Sequence, residues 1–98
     1  MLTHETVTGA TAEVERILRG NPLGFSIEAF AYSAVSRRRV TKVWEAVHPT
    51  VLAHGHMHAR GEIETGDWRR VYALAQNGLR GNIGLLDPRT LAWEWLDQ

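Results

Sequence analysis

Five histidines stand in this chain, and four of them fall between positions 48 and 58. Three alternate in Ala53-His54-Gly55-His56-Met57-His58-Ala59, directly after the β-prone run Thr50-Val51-Leu52-Ala53. In extended chain, residues i and i+2 share a face roughly 6.6 Å apart. Imidazole nitrogens bind metals at about 2.0–2.1 Å, and the ions of a two-metal hydrolase site lie about 3.5–4 Å apart. Two histidines at this spacing can therefore each reach a different ion of one pair. Gly55 lets the backbone turn sharply or approach such a site closely. The spacing is not the helical H-E-x-x-H, so a strand end and its loop are the expected setting. A solvated loop accounts for any one of these histidines, but three in alternation behind an apolar strand favour metal binding.

The elements that must position this cluster are legible in outline. Thr11 to Arg19 reads as a short helix: Thr11 suits the cap, Glu13 and Glu15 the positive end, and Val14, Ile17 and Leu18 fall at i, i+3, i+4. Gly20-Asn21-Pro22 stops it. A second helix begins after Ser26 with Ile27, Phe30, Ala31, Ala34 and Val35 on one face. The stripe loses phase at Ser36 and resumes through Val40, Val43, Trp44 and Val47. This predicts two helices, or one bent near Ser36, ended by His48-Pro49. Strands follow at Thr50–Ala53, Gly61–Thr65, Arg70–Ala75, Ile83–Asp87 and Thr90–Leu96, parted by turn signals at Gly66-Asp67, Asn77-Gly78 and Asp87-Pro88-Arg89. The expected fold is α/β, helices first and then mainly antiparallel strands.

Composition narrows the function classes. At 98 residues, 44% hydrophobic and 22% charged, the chain is one small globular domain. No apolar run approaches the roughly 20 residues that span a bilayer. The N-terminus lacks the basic-then-apolar layout of a signal peptide, so a cytoplasmic, non-membrane protein is expected. Eleven basic and eleven acidic residues cancel, which argues against a nucleic-acid footprint built on bulk charge. The absence of cysteine excludes disulfides and thiolate metal sites. A chain this short buries only about two-thirds of its unfolded surface and is marginal alone.

The metallo-β-lactamase pattern H-x-H-x-D-H fails here, because Ala59 and Arg60 stand where its Asp and next His belong. By contrast, His48-Pro49-Thr50-Val51-Leu52-Ala53-His54-Gly55-His56-Met57-His58 resembles the last signature of the calcineurin-like metallophosphoesterases: a helix, a proline, a short apolar strand, then G-H-x-H. Leu2-Thr3-His4-Glu5 resembles the strand-end histidine that precedes G-H-x-H in that family, and antiparallel strands follow in both. The resemblance implies residues 1–98 as one partial domain, the C-terminal half of an α/β/β/α sandwich. It implies metal-dependent phosphoester hydrolysis, as a phosphatase or phosphodiesterase, in which water activated between two ions attacks phosphorus in line. His4 and His56 would hold the second ion and His58 the first. The ions would be Mn, Fe or Zn. Gly55 belongs to the motif, whereas His54 is no family ligand: a second-shell contact, a substrate contact and an exposed loop residue are all open for it.

The chain also departs from that family. D-x-H, G-D-x-x-D and G-N-H-[DE] precede the His4-type motif there, and none occurs here. The Asp residues, Asp67, Asp87 and Asp97, all follow the cluster, and no family catalytic-acid histidine is present. Thr6-Val7 stands where the family commonly has a proline. The simplest account is the C-terminal half of a longer enzyme, inactive alone and dependent on a missing N-terminal half, with a phosphoester as substrate and nucleic acid a partner only in that role.

Other features have plainer readings. Arg37, Arg38, Arg39 and Lys42 fan around a helix and suit a solvated face. Trp44, Trp93 and Trp95 suit cores, Trp68 a partly exposed hairpin, and Asn77-Gly78 a turn. Two rival functions remain: a non-enzymatic binding module that contacts nucleic acid or protein through the helix from Ser36 to Val47, and a single-ion structural zinc site made of His54, His56 and His58.

Overall fold

Thr11 caps the first helix as its residue type predicts, its hydroxyl accepting from the Val14 N–H at 3.4 Å. Ser26 does the same for the second, accepting from Ala29 N–H at 3.1 Å. The computed structural model describes residues 1–96. The elements are β1 (Leu2–Thr3), α1 (Ala12–Gly20), α2 (Ile27–Val47), β2 (Val51–His54), β3 (Gly61–Glu64), β4 (Arg70–Ala73), β5 (Gly84–Leu86) and β6 (Trp93–Trp95). All five strands expected after the helices are present, within one to three residues of the predicted bounds.

The structure decides between the two readings of the second helix and refines the expected strand pairing. The second helix is one unbroken element, because Arg37-Arg38-Arg39 are good helix formers that carry it past Ser36. It ends where expected: His48 takes a left-handed conformation (φ 54°) and its N–H donates to the Trp44 carbonyl, a left-handed cap followed by Pro49. The strands are also not all antiparallel. A four-stranded mixed sheet runs β1-β2-β4-β3, with β1 parallel to β2, β2 parallel to β4, and β3 antiparallel to β4; β5 and β6 pair in a separate antiparallel sheet. The β3–β4 hairpin folds back so that its second strand, not its first, lies beside β2.

Side-chain alternation then sorts the sheet into two faces. Leu52 and Val71 pack with Val7, Ala10 and Trp44, and Ala73 with Val14, Ile17 and Met57, which is the helical side. Val51, Ala53 and Tyr72 pack with Leu86, Leu91, Trp93 and Trp95, which is the hairpin side. Tyr72 lies flat on Trp93, ring centroids 4.2 Å apart and planes within 6°. The hairpin fits closely there, since a Cβ at Gly84 would run into the Trp93 ring. With both faces covered, β2 is buried at every position, as its near-continuous apolar run requires. The layers are thus helices, mixed sheet, antiparallel sheet.

The helical layer is incomplete. On α2 only Ser33 and Trp44 are buried; Ile27 is 85% exposed and Tyr32 78%. The stripe through Ile27, Ala31 and Val35 thus covers no core, since α2 meets the sheet through Trp44 and Val40 and reaches Glu5 through Ser33, all on another face of the helix. Neither helix is long and apolar enough to cross a membrane.

Candidate metal centre

The parallel pairing of β1 with β2 sets Thr3 opposite His54, so His4 leaves β1 beside the loop that carries the other histidines. The register continues one step, with Gly55 N–H donating to the His4 carbonyl at 3.2 Å. Residues 52 apart in the chain therefore meet: His56 Nδ1 lies 2.8 Å from His4 Nε2, with ring centroids 4.6 Å apart. Two nitrogens bound at about 2.1 Å to one ion stand about 3.0 Å apart at right angles and about 3.4 Å apart at the tetrahedral angle. The observed pair is close to the first value. The site sits at the carboxyl ends of parallel strands, the usual place for ligands in such sheets.

Gly55 does not play the part expected of it. A Cβ there would meet nothing within 4 Å, and its φ is not positive. The unusual backbone belongs to the histidines, with φ of 71° at His56 and 60° at His58. Met57 N–H donates to the Gly55 carbonyl at 2.9 Å, which with the His56 torsion makes a γ-turn of the rarer positive-φ form. Such strain persists where surrounding structure over-determines it, and it concentrates at functional sites. Met57, buried between the two histidines against Val14, Ile17 and Ala73, is the anchor that holds this turn.

His58 is exposed on the far side of the turn, its ring 6.3 Å from Phe25. Phe25 also lines a cavity of about 290 Å³ bordered by His4, His56, Phe30, Ser33 and Met57. The structure thus brings His4 and His56 together and leaves His58 apart, outside the cavity lining and nearest to it at Phe25. Among the described residues, no three histidine or carboxylate groups are placed to share one ion. Asp67 and Asp87 serve elsewhere, in a hairpin clasp with Arg69 and in a turn that accepts from Arg89 N–H; Asp97 lies outside the described residues.

His54 corrects one expectation: it is no exposed loop residue. It closes β2 at 1% exposure, on the face of Leu52. Its Nδ1 lies 3.0 Å from the Gly55 carbonyl, which can only accept, so the proton is on Nδ1 and the Nε2 lone pair is buried without a hydrogen-bond partner. Burial holds its pKa below the ordinary 6.5. Unfolding frees it to take up a proton. Its contribution to stability is therefore complete above about pH 6.5 and is lost as pH falls towards its folded value. In chelator-containing buffer, thermal scans from about pH 8 to pH 5 are expected to show Tm falling below about pH 6.5, with a shallower fall in His54→Leu. An equal fall in the variant would remove His54 as the cause.

Sequence reasoning passed over Glu5. Its carboxylate is buried beside the pair, Oε2 3.5 Å from His56 Nε2, and it accepts from Ser33 Oγ at 2.7 Å and from Thr6 N–H at 3.0 Å. Its adjacency to His4 was the one available signal. His48 caps α2 and pairs with Asp67 at 3.3 Å, away from the centre. Comparison with family models, curated proteins and solved structures finds no match to this chain.

Proposed function

We propose that this chain forms one side of a two-metal centre that hydrolyses phosphoesters, in the manner of the calcineurin-like family it resembles. The observation that carries the reading is the approach of His4 Nε2 and His56 Nδ1 to 2.8 Å across 52 residues of chain, from the two histidine motifs that the resemblance singles out. Neutral imidazoles suit Fe and Zn, and Mn where oxygen ligands complete its shell. His4 and His56 would hold one ion and His58, whose ring lies 6.3 Å from Phe25 of the cavity wall, would contribute to the other. The ions would supply Lewis acidity towards the phosphoryl oxygens and a nucleophilic water. The chain's own residues fix the two imidazoles on strand ends, and the cavity beside them offers room for the organic part of the ester.

A missing N-terminal half belongs to this reading. The free edge of β1 could take a further parallel strand, whose carboxyl end would then arrive next to His4. Such a half would also cover Leu2, Ile27 and Tyr32, each more than three-quarters exposed, and would bring the carboxylates that the centre lacks.

Calorimetric titration of the chain with Mn²⁺ tests the ligand assignment. Weak saturable uptake is expected, lost in His4→Ala and His56→Ala and retained within about twofold in His58→Ala and His54→Leu. A structural zinc site made of His54, His56 and His58 predicts loss in His54→Leu and His58→Ala as well as in His56→Ala, with His4 irrelevant. Uptake indifferent to His4 and His56, or no uptake at all, would overturn the assignment.

A further inference from the structure

We infer that Glu5 is the residue that positions His56 for metal binding, by holding its proton on Nε2 so that the Nδ1 lone pair faces the ion. The inference rests on the metal-centre reading above and extends it from ligands to the group behind them. A ligating histidine needs its second ring nitrogen anchored to a carboxylate or carbonyl, which fixes both the tautomer and the ring orientation. Here the two nitrogens of His56 face opposite ways: Nδ1 towards His4 Nε2 at 2.8 Å, and Nε2 towards Glu5 Oε2 at 3.5 Å. At 3.5 Å the carboxylate stands at ion-pair distance, longer than a hydrogen bond; because it can only accept, it favours the proton on Nε2 and so leaves the Nδ1 lone pair for a cation.

Glu5 is itself held in place from behind. Thr6 N–H donates to Oε1 at 3.0 Å and Ser33 Oγ donates to Oε2 at 2.7 Å. Ser33 in turn accepts from Arg37 Nη1 at 2.7 Å, one helical turn further along α2. The Thr3 hydroxyl donates to the Glu5 carbonyl at 2.7 Å, closing the backbone over His4. This chain of contacts runs Arg37, Ser33, Glu5, His56 and ends at His4. It explains why Ser33 is one of only two buried residues on α2, and why one member of the basic cluster points inward while Arg38, Arg39 and Lys42 remain exposed. A serine buried off the apolar stripe, on the side of α2 that meets Glu5, has a purpose if it holds the carboxylate that holds the ligand.

The test reads the tautomer directly. In metal-free wild-type protein, long-range ¹H–¹⁵N correlation spectra are expected to show His56 as the Nε2–H form. Glu5→Leu removes the acceptor and is expected to shift His56 to the Nδ1–H form, donating to His4, with a fall in Mn²⁺ affinity of about 10–100-fold. Glu5→Gln, whose amide oxygen still accepts, is expected to keep the tautomer and to recover most of that affinity. Ser33→Ala leaves Glu5 held by the Thr6 N–H alone, and is expected to fall between wild type and Glu5→Leu. An Nδ1–H tautomer in the wild type would overturn the inference without recourse to any variant, as would unchanged tautomer and affinity in Glu5→Leu. Failure of the wild type to take up Mn²⁺ would count against the metal-centre reading, and the metal-free spectra would still decide the part played by Glu5.

Discussion

Alone, this chain is expected to hydrolyse no bis(p-nitrophenyl) phosphate with Mn²⁺ present; joined to a segment bearing D-x-H, G-D-x-x-D and G-N-H in that order, it is expected to turn the ester over. The physical reason is ligand number. Two imidazoles hold an ion loosely and give it no bridging carboxylate, so neither ion is fixed against the phosphoryl group. In the joined protein, on the proposed function, His56→Ala would remove one of the ligands to a cation whose Lewis acidity is worth several kcal/mol. At 1.36 kcal/mol per decade, that is about a thousandfold in kcat. His48→Ala, at the far end of β2, is the control and should leave kcat within about twofold, because its ring pairs with Asp67 away from the centre. Robust turnover by the chain alone, or a joined protein indifferent to His56, would sink the proposed function.

The second large effect is on the fold. Trp44→Ala is expected to destabilise the chain by about 3–5 kcal/mol, the usual range for a buried aromatic truncated to alanine. Trp44 is 4% exposed and is the one large side chain through which α2 grips the sheet, packing on Val7, Leu52 and Val71. It also shields Arg69, whose guanidinium lies 4.1 Å over the indole, donates to the Trp44 carbonyl at 3.2 Å and pairs with Asp67 at 2.8 Å. Truncation opens a cavity and uncovers that cation together. A domain of this size has about 5–15 kcal/mol in total, and one with so open a helical layer belongs at the low end. Loss of near-ultraviolet circular dichroism at 25 °C, with much of the far-ultraviolet signal kept, is the expected observation. A cooperative melt within a few degrees of wild type would show that α2 is held by something else.

Local signals carried most of the secondary structure. Thr11 and Ser26 are caps because their hydroxyls reach a backbone N–H three residues on, a relation that sequence spacing contains in full. Turn residues parted the strands correctly for the same reason. The sheet order was not legible, since β3 and β4 have the same alternation whether the first or the second of them pairs with β2. The exposure of Ile27 and Val35 was equally hidden, because a stripe shows which residues could be buried and not whether anything lies opposite.

At the candidate centre the division is similar. With no cysteine in the chain, histidine is the side chain here best suited to hold Fe or Zn, so the residues at issue were countable before any fold was known. Their separate fates were decided by position in three dimensions. His54 and His56 differ by two residues, yet one closes a buried strand and the other leans out at φ 71° to meet His4. Glu5 entered the site through Ser33, 28 residues away on a different element. Chemical type and short-range spacing are properties of the chain itself, and they named the imidazoles. Which of them converge, and which carboxylate stands behind them, follows from the parallel register of β1 on β2 and the seating of α2, pairings that only the burial of a common core selects.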